Sequence, residues 1–180
     1  MKKINVTGTT GSGKSTFSKR LAKQLDYPCI HMDQLFWKAD WVETTDEEFI
    51  AKVALAISTD DWVLDGNYSR TNTLKWADVD TIIWLDYSYL RTFWQLFKRT
   101  MLRAYAKQEI WPETGNKETF AKAFLSRKSI FVWFFRCYNR NKIKYEKLIT
   151  CTEFKHVEYI RLRNPCELEQ FLKNIKTSIL

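Results

Sequence analysis

The sequence predicts an α/β fold, a parallel sheet of about five strands with helices on both faces. Three observations predict it. Strand-like and helix-like signals alternate from residue 3 to the end of the chain, without an internal repeat or a low-complexity linker. The runs Trp62-Val63-Leu64 and Thr81-Ile82-Ile83-Trp84-Leu85 are continuously apolar, as strands covered on both faces are. A glycine-rich turn separates the first strand signal from the first helix signal. At 180 residues, 45% hydrophobic and 28% charged, residues 1–180 read as a single domain with a substantial core.

The elements follow in order. Lys3 to Val6 alternates as a short strand, and Phe17, Leu21 and Leu25, four residues apart, mark a helix from about Lys14 to Leu25. Pro28 prevents its continuation, and Cys29 to Met32 is a second strand. Thr45-Asp46-Glu47-Glu48 has the form of a capping box and opens a helix with an apolar face of Phe49, Ile50, Val53, Ala54 and Ile57. The third strand, from Trp62, ends at Asp65-Gly66, and the fourth, from Thr81, ends at Asp86. A long helix from about Tyr89 to Tyr105 carries Leu90, Phe93, Trp94, Phe97 and Met101 on one side. Ala106 to Asn116 is irregular, Phe120 to Leu148 mostly helical, and His156 to Leu162 the last strand. Asn164-Pro165-Cys166-Glu167 supplies an N-cap, a proline at the first helical position and a glutamate behind it. The final helix packs through Leu168, Phe171, Leu172 and Ile175.

The turn after the first strand carries the chemistry. Residues 8–15, GTTGSGKS, satisfy G-x-x-x-x-G-K-[ST] at every fixed position. Glycines let successive backbone N–H groups converge on an anion, and the following helix aims its positive end at the same point. Lys14 would reach the β- and γ-phosphates, and the Ser15 hydroxyl would hold Mg²⁺. The candidate nucleotide-binding set is therefore Gly8, Thr10, Gly11, Ser12, Gly13, Lys14, Ser15 and Thr16. This P-loop implies a nucleoside triphosphate, taken as ATP, with Mg²⁺. The pairs Asn116-Lys117 and Asn141-Lys142 lack the Asp of a guanine-recognition box, so a small-molecule kinase is favoured over a GTPase.

Bulk properties narrow the class without choosing a partner. The net charge of +8 suits a cleft for polyphosphates or a nucleic-acid face. Cys29, Cys137, Cys151 and Cys166 have no paired spacing and read as reduced thiols. Met1-Lys2-Lys3 runs directly into the first strand, and the longest apolar run, Ile130 to Phe135, is too short to span a bilayer. A cytoplasmic protein without a membrane span is expected.

The segment WVLDGNYSRT, residues 62–71, resembles the LDGFPRT segment of adenylate kinases. Together, HMDQLFW (31–37), WVLDGNYSR (62–70) and ADVDTIIWLD (77–86) are more closely similar to an adenylate-kinase-related group of P-loop proteins labelled "DNA topology modulation protein". The likeness covers most of the chain and is weakest between Lys107 and Lys128. It implies the strand order 2-3-1-4-5, an acceptor-side segment at about 33–60 and a lid at about 104–128. It also implies that Asp65 orients water on Mg²⁺, that Arg70 binds the acceptor's anionic group, and that Arg99 and Arg103 grip the nucleotide and its phosphates. Arg136 and Arg140 repeat the four-residue spacing beyond the lid, as lid-side basic residues.

One departure from adenylate kinases is informative. After the second strand stands Asp33, in a place where shikimate and gluconate-type kinases carry an Asp facing the acceptor hydroxyl. A carboxylate repels a phosphate acceptor but suits an alcohol that must lose a proton. Asp33 is therefore a candidate acceptor-binding residue and base; the alternative is an N-cap for residues 34–37. Trp37, Trp41 and Tyr68 line an acceptor pocket or belong to the core, and Trp62 reads as core. The expected function is Mg-dependent transfer of the γ-phosphate of ATP to a small hydroxylated or nucleotide-like acceptor. The alternatives are an ATP-dependent, nucleic-acid-associated regulator and a bare NTPase. Nothing in the chain matches a recognised DNA-reading element, and the acceptor, the choice between ATP and GTP, and the oligomeric state stay open.

Overall fold

A computed structural model describes residues 1–106, 109–111, 114–116, 129–150 and 156–179. Five strands form one parallel sheet: β1 (Lys3–Gly8), β2 (Cys29–His31), β3 (Trp62–Asp65), β4 (Thr81–Leu85) and β5 (Glu158–Leu162). Their spatial order is β2-β3-β1-β4-β5. The helices are α1 (Lys14–Leu25), α2 (Met32–Phe36), α3 (Asp46–Ala56), α4 (Asn72–Asp78), α5 (Tyr89–Ala106), α6 (Ile130–Thr150) and α7 (Pro165–Ile179).

The sheet separates two apolar layers. On one face α1 and α7 pack Phe17, Leu21, Leu168, Leu172 and Ile175 against Ile4, Val6 and Ile83. On the other, Met32, Phe49, Val53 and Trp76 from α2, α3 and α4 pack against Trp62, Leu64 and Ile82. Burying one such side chain stabilises the fold by roughly 1.5–3 kcal/mol, so continuous apolar strands are selected in a sheet covered on both sides. Asn5, fully buried in the central strand, is satisfied at both ends. Its Nδ2 donates to the carbonyls of Leu64 and Gly66, and its Oδ1 accepts from Trp76 Nε1 at 3.0 Å. That network ties β1 to the end of β3 and to α4.

Local signals end the helices as expected. Thr45 Oγ1 accepts from the Glu48 amide, and Asn164 Oδ1 accepts from the Glu167 amide at 3.0 Å. Two apolar faces differ from those the sequence suggests. In α3, Phe49 and Val53 are buried while Ile50 is exposed. In α5 the buried row is Thr92, Leu96, Thr100 and Ala104, and Leu90 and Trp94 lie exposed. The glycine loop packs directly on this row: a Cβ on Gly11 would lie 2.7 Å from both Leu96 Cβ and the Thr92 carbonyl oxygen. The aromatic side of α5 meets α6 instead, where Phe93 and Phe97 pack with Phe131 and Phe134. Helix α4 is absent from the sequence-based assignment and α2 enters it only as the alternative of residues 34–37 capped by Asp33, whereas the cap position is His31 and Asp33 lies inside the helix; both are too short to show a period.

Much of the predicted lid, and the stretch 120–128 of the predicted helix after it, lie outside the described residues. Cys29, Cys137 and Cys166 are free thiols. Among the described residues, no helix is long and apolar enough to cross a membrane.

Candidate active site

The parallel strands end together at one edge of the sheet, and the candidate residues follow them. Ligands of open α/β sheets bind at that edge. Gly8, Gly11 and Gly13 all have positive φ, of 148°, 86° and 89°. Two of the three have no room for a side chain, since a Cβ on Gly8 would sit 2.8 Å from the Leu85 carbonyl oxygen. The loop closes through the Ser12 amide onto the Thr9 carbonyl at 3.1 Å. Lys14 folds back to donate to the Thr9 carbonyl at 3.3 Å. The Ser12 hydroxyl is buried and has no hydrogen-bond partner. Thr10, Ser15 and Thr16 lie in the same loop and the first turn of α1, partly or fully exposed.

Asn67 was not singled out by the sequence. Its side chain donates to the Gly8 carbonyl and accepts from the Gly8 amide at 3.1 Å. It thus pairs with the first loop glycine as a neighbouring strand would, and the turn after β3 braces the phosphate loop. The available signal was the polar amide directly after Asp65-Gly66.

Asp65 ends β3, 6% exposed, and its Oδ2 lies 2.9 Å from His31 Nδ1, equally buried at the end of β2. Burial works against a charged imidazole, but the Asp65 carboxylate and Cys29 together outweigh it and push the His31 pKa up to about 9. Burial would likewise raise the Asp65 carboxyl. The His31 hydrogen bond, the Lys14 charge and the nearby Ser15 hydroxyl hold it below the usual range instead. Asp65 Oδ1 is buried without a hydrogen-bond partner, at a cost of about 1–3 kcal/mol for an unmet buried group. Burial draws the Lys14 ammonium below the ordinary lysine value; Asp65 and then Asp33 oppose that, and Arg99 adds to it. The Lys14 ammonium therefore feels Asp65, Asp33 and Arg99 at the mouth of the loop.

An orphaned carboxylate oxygen beside a hydroxyl at a phosphate loop fits a hard cation. Among the described residues no group of three or more His, Cys, Asp or Glu side chains could hold a metal. A Mg²⁺ ion here would take most of its oxygens from phosphate and water, as Mg²⁺ commonly does.

The surroundings of Asp33 are built differently. Asp33 lies in the first turn of α2, where His31 stands in the cap position without a side-chain cap bond. Asp33 is exposed, and its Oδ1 accepts from the Tyr68 hydroxyl at 2.6 Å. Tyr68 packs against Phe36 and Phe49, and burial with the adjacent Asp33 charge pushes its phenol pKa up. Trp37 stacks edge-on against Phe36 and Trp41, half-buried on the same wall, and Trp62 is fully buried core. Asn116, 1% exposed, accepts from the Trp41 amide and donates to the Lys38 carbonyl, both at 2.9 Å. Trp111 brings its ring within 5.6 Å of His31.

The arginines divide. Arg99 is partly buried near Lys14, and Arg103 is one turn further along α5. Arg70 pairs with Asp46 at the start of α3 and lies over the Phe36 ring at 5.2 Å. Arg136 is exposed; Arg140 contacts Cys137 Sγ at 3.2 Å and Trp133. Both contacts of Arg140 lie within α6.

Comparison with known proteins follows this geometry. A search of curated proteins found no match. Among solved structures the chain is similar to a gluconokinase from Sinorhizobium meliloti 1021, at 14% identity over 98% of this chain and 97% of that one, with a TM-score of 0.47. A sugar kinase from Janibacter sp. HTCC2649 is 14% identical over 98% and 91%, with a TM-score of 0.48. An uncharacterized protein from Eubacterium ventriosum ATCC 27560 is 14% identical over 97% and 98%, with a TM-score of 0.49. A family model described as "AAA domain" matches residues 4–121, more than half of the chain, from β1 and its glycine loop through α5. By the extent of that match the chain belongs to the AAA domain family.

Proposed function

We propose that the protein is a P-loop kinase that transfers the γ-phosphoryl group of ATP to a hydroxyl of a small acceptor. One observation carries the reading: Asp33, oriented by the Tyr68 hydroxyl at 2.6 Å, stands close enough to Lys14 to influence its charge. A carboxylate so placed can accept a proton beside the point where the γ-phosphate would lie. Within the adenylate-kinase-related proteins, we place the chain nearest the group labelled "DNA topology modulation protein", on residues 31–37, 62–70 and 77–86.

The roles then follow from chemistry. The backbone amides of residues 8–16 bind the phosphates, and Lys14 exchanges its Thr9 contact for a phosphate oxygen. Ser15 and Asp65, the latter through water, would hold Mg²⁺, which would supply positive charge against the β- and γ-phosphates. The acceptor oxygen bonds to the γ-phosphorus, the bond from that phosphorus to the β,γ-bridging oxygen breaks, and ADP leaves. The acceptor's hydroxyl proton goes to Asp33 and then to solvent. Arg99 and Arg103 stabilise the equatorial oxygens. Trp37 lines the acceptor pocket, Arg70 binds an anionic group of the acceptor by leaving Asp46, and Arg136 and Arg140 add positive charge on the lid side. Residues 33–60 form the acceptor-side segment of the single domain and 104–128 its lid, which excludes water on closure; the Asn116 bonds to Lys38 and Trp41 support such a closure.

The test is ADP release with ATP and Mg²⁺ over a panel of nucleoside monophosphates, nucleosides, sugar acids and cyclic polyols. Stimulation by a hydroxyl-bearing class above the acceptor-free rate is expected. A flat panel would sink the reading and leave a bare NTPase. A second reading, an ATP-dependent regulator on nucleic acid, is favoured by the exposed Trp94 and Trp133, each with a cation over its ring. It requires DNA binding that persists at physiological salt and responds to ATP.

A further inference from the structure

Phosphotransfer as described leaves His31 without a role, although its side chain beside the loop is as little exposed as that of Asp65. Parallel pairing sets His31 directly opposite Asp65, so the contact is written into the strand register. Nδ1 lies 2.9 Å from Asp65 Oδ2, Nε2 lies 3.7 Å from Cys29 Sγ, and Trp111 covers the ring. The imidazole is thus held at both nitrogens, while Asp65 is held at one oxygen only and Oδ1 has no partner.

We propose that His31 is a positioning residue, whose Nδ1–H fixes Oδ2 of Asp65 and leaves Oδ1 available to the cation of a bound nucleotide or to that cation's water. The imidazolium and one neutral tautomer both carry a proton on Nδ1, so the hold does not depend on the ring's charge. Partners that orient a metal-binding group in this way govern metal affinity more than they govern the remainder of the site. The inference rests on the proposed nucleotide and cation site, not on the identity of the acceptor.

Mn²⁺ is the probe, with free Mn²⁺ followed by electron paramagnetic resonance during titration of the full chain with and without ADP. His31→Leu removes the donor, His31→Asn keeps an N–H near the Nδ1 position, and His31→Gln carries one nearer Nε2. Affinity for Mn²⁺ in the presence of ADP is expected to fall by about 10-fold or more in His31→Leu and His31→Gln and to recover in His31→Asn. Metal-free ADP affinity stays within about twofold of wild type, since the loop amides are untouched. If all variants bind Mn²⁺ as wild type does, or if Asn loses as much as Gln and Leu, His31 is a spacer and the proposal fails. Should His31→Leu not fold, the contrast between Asn and Gln decides it. A wild-type chain that binds no ADP and no ADP-dependent Mn²⁺ overturns the nucleotide site itself, an outcome distinct from the first.

Discussion

Asp65 ends β3 and Asp33 lies in the helix that follows the neighbouring β2, and the two are held in opposite ways. Asp65 is buried, bonded to a buried histidine, and close to Lys14 and Ser15. Asp33 is exposed and oriented by a single phenol whose ring is anchored in an aromatic cluster. The difference separates two tasks. Under the proposed function the phosphate side would face the same groups at every turnover and would gain from a rigid, desolvated setting in which each charge acts strongly. The proposed acceptor side would have to admit and release a molecule; the Asp33 carboxylate stays near solvent, and packed rings lie beneath it.

Substitutions can break or sharpen that contrast. The largest expected effect is on the acceptor side: Asp33→Asn should lower turnover by about 10²–10⁴-fold while leaving ATP affinity near wild type. Steady-state kinetics with a labelled-nucleotide binding curve check both parts. Gly11→Ala strikes the phosphate side through packing, because its φ of 86° and the 2.7 Å approach of Leu96 leave no room for a methyl group. A loss of roughly 2–4 kcal/mol of stability in urea unfolding is expected from strain and overpacking. Tyr68→Phe, which leaves the ring cluster intact, should reduce turnover by about tenfold through loss of one charge-assisted hydrogen bond, with little change in thermal midpoint.

Lys75 tests the assumption that the acceptor side is wet throughout. It lies beneath Tyr68, 1% exposed, with its ammonium 3.4 Å from the Tyr68 carbonyl. Burial, with Lys144 nearby, lowers its pKa to about 7. The unfolded chain therefore binds the extra proton between about pH 7 and the ordinary lysine value, so this group's contribution to stability rises with pH across that window. Lys75→Met should be more stable than wild type by about 1–2 kcal/mol near pH 7, with the advantage shrinking as the pH approaches 10. Chemical unfolding at several pH values checks the sign; an advantage that grows with pH would contradict it. Arg70→Ala should give the smallest effect on stability, less than about 1 kcal/mol, because its bond to Asp46 is an exposed ion pair. A rise in acceptor KM without a change in thermal midpoint would mark Arg70 as an acceptor contact.

The strand pattern, the glycine loop and the helix caps were legible in the sequence because each is a local device. Continuous apolar runs, G-x-x-x-x-G-K-S, and Thr or Asn three residues before Glu all act within a few residues of themselves. The strand order came with the family resemblance, and the sheet has it. What the sequence could not supply were contacts made by register and crossing. His31 meets Asp65 only because β2 and β3 run parallel in one particular alignment. Asn67 reaches Gly8, and Asn116 reaches Lys38, across long separations in the chain. The two packed sides of α5 were hidden for the same reason, since Thr92 and Leu96 lie against Gly11 of the loop while Phe93 and Phe97 meet α6. Local propensity and spacing determined which residues could bind phosphate. The tertiary structure decided which carboxylate is buried and which is exposed, because burial and charge coupling depend on neighbours that only the packed sheet brings together.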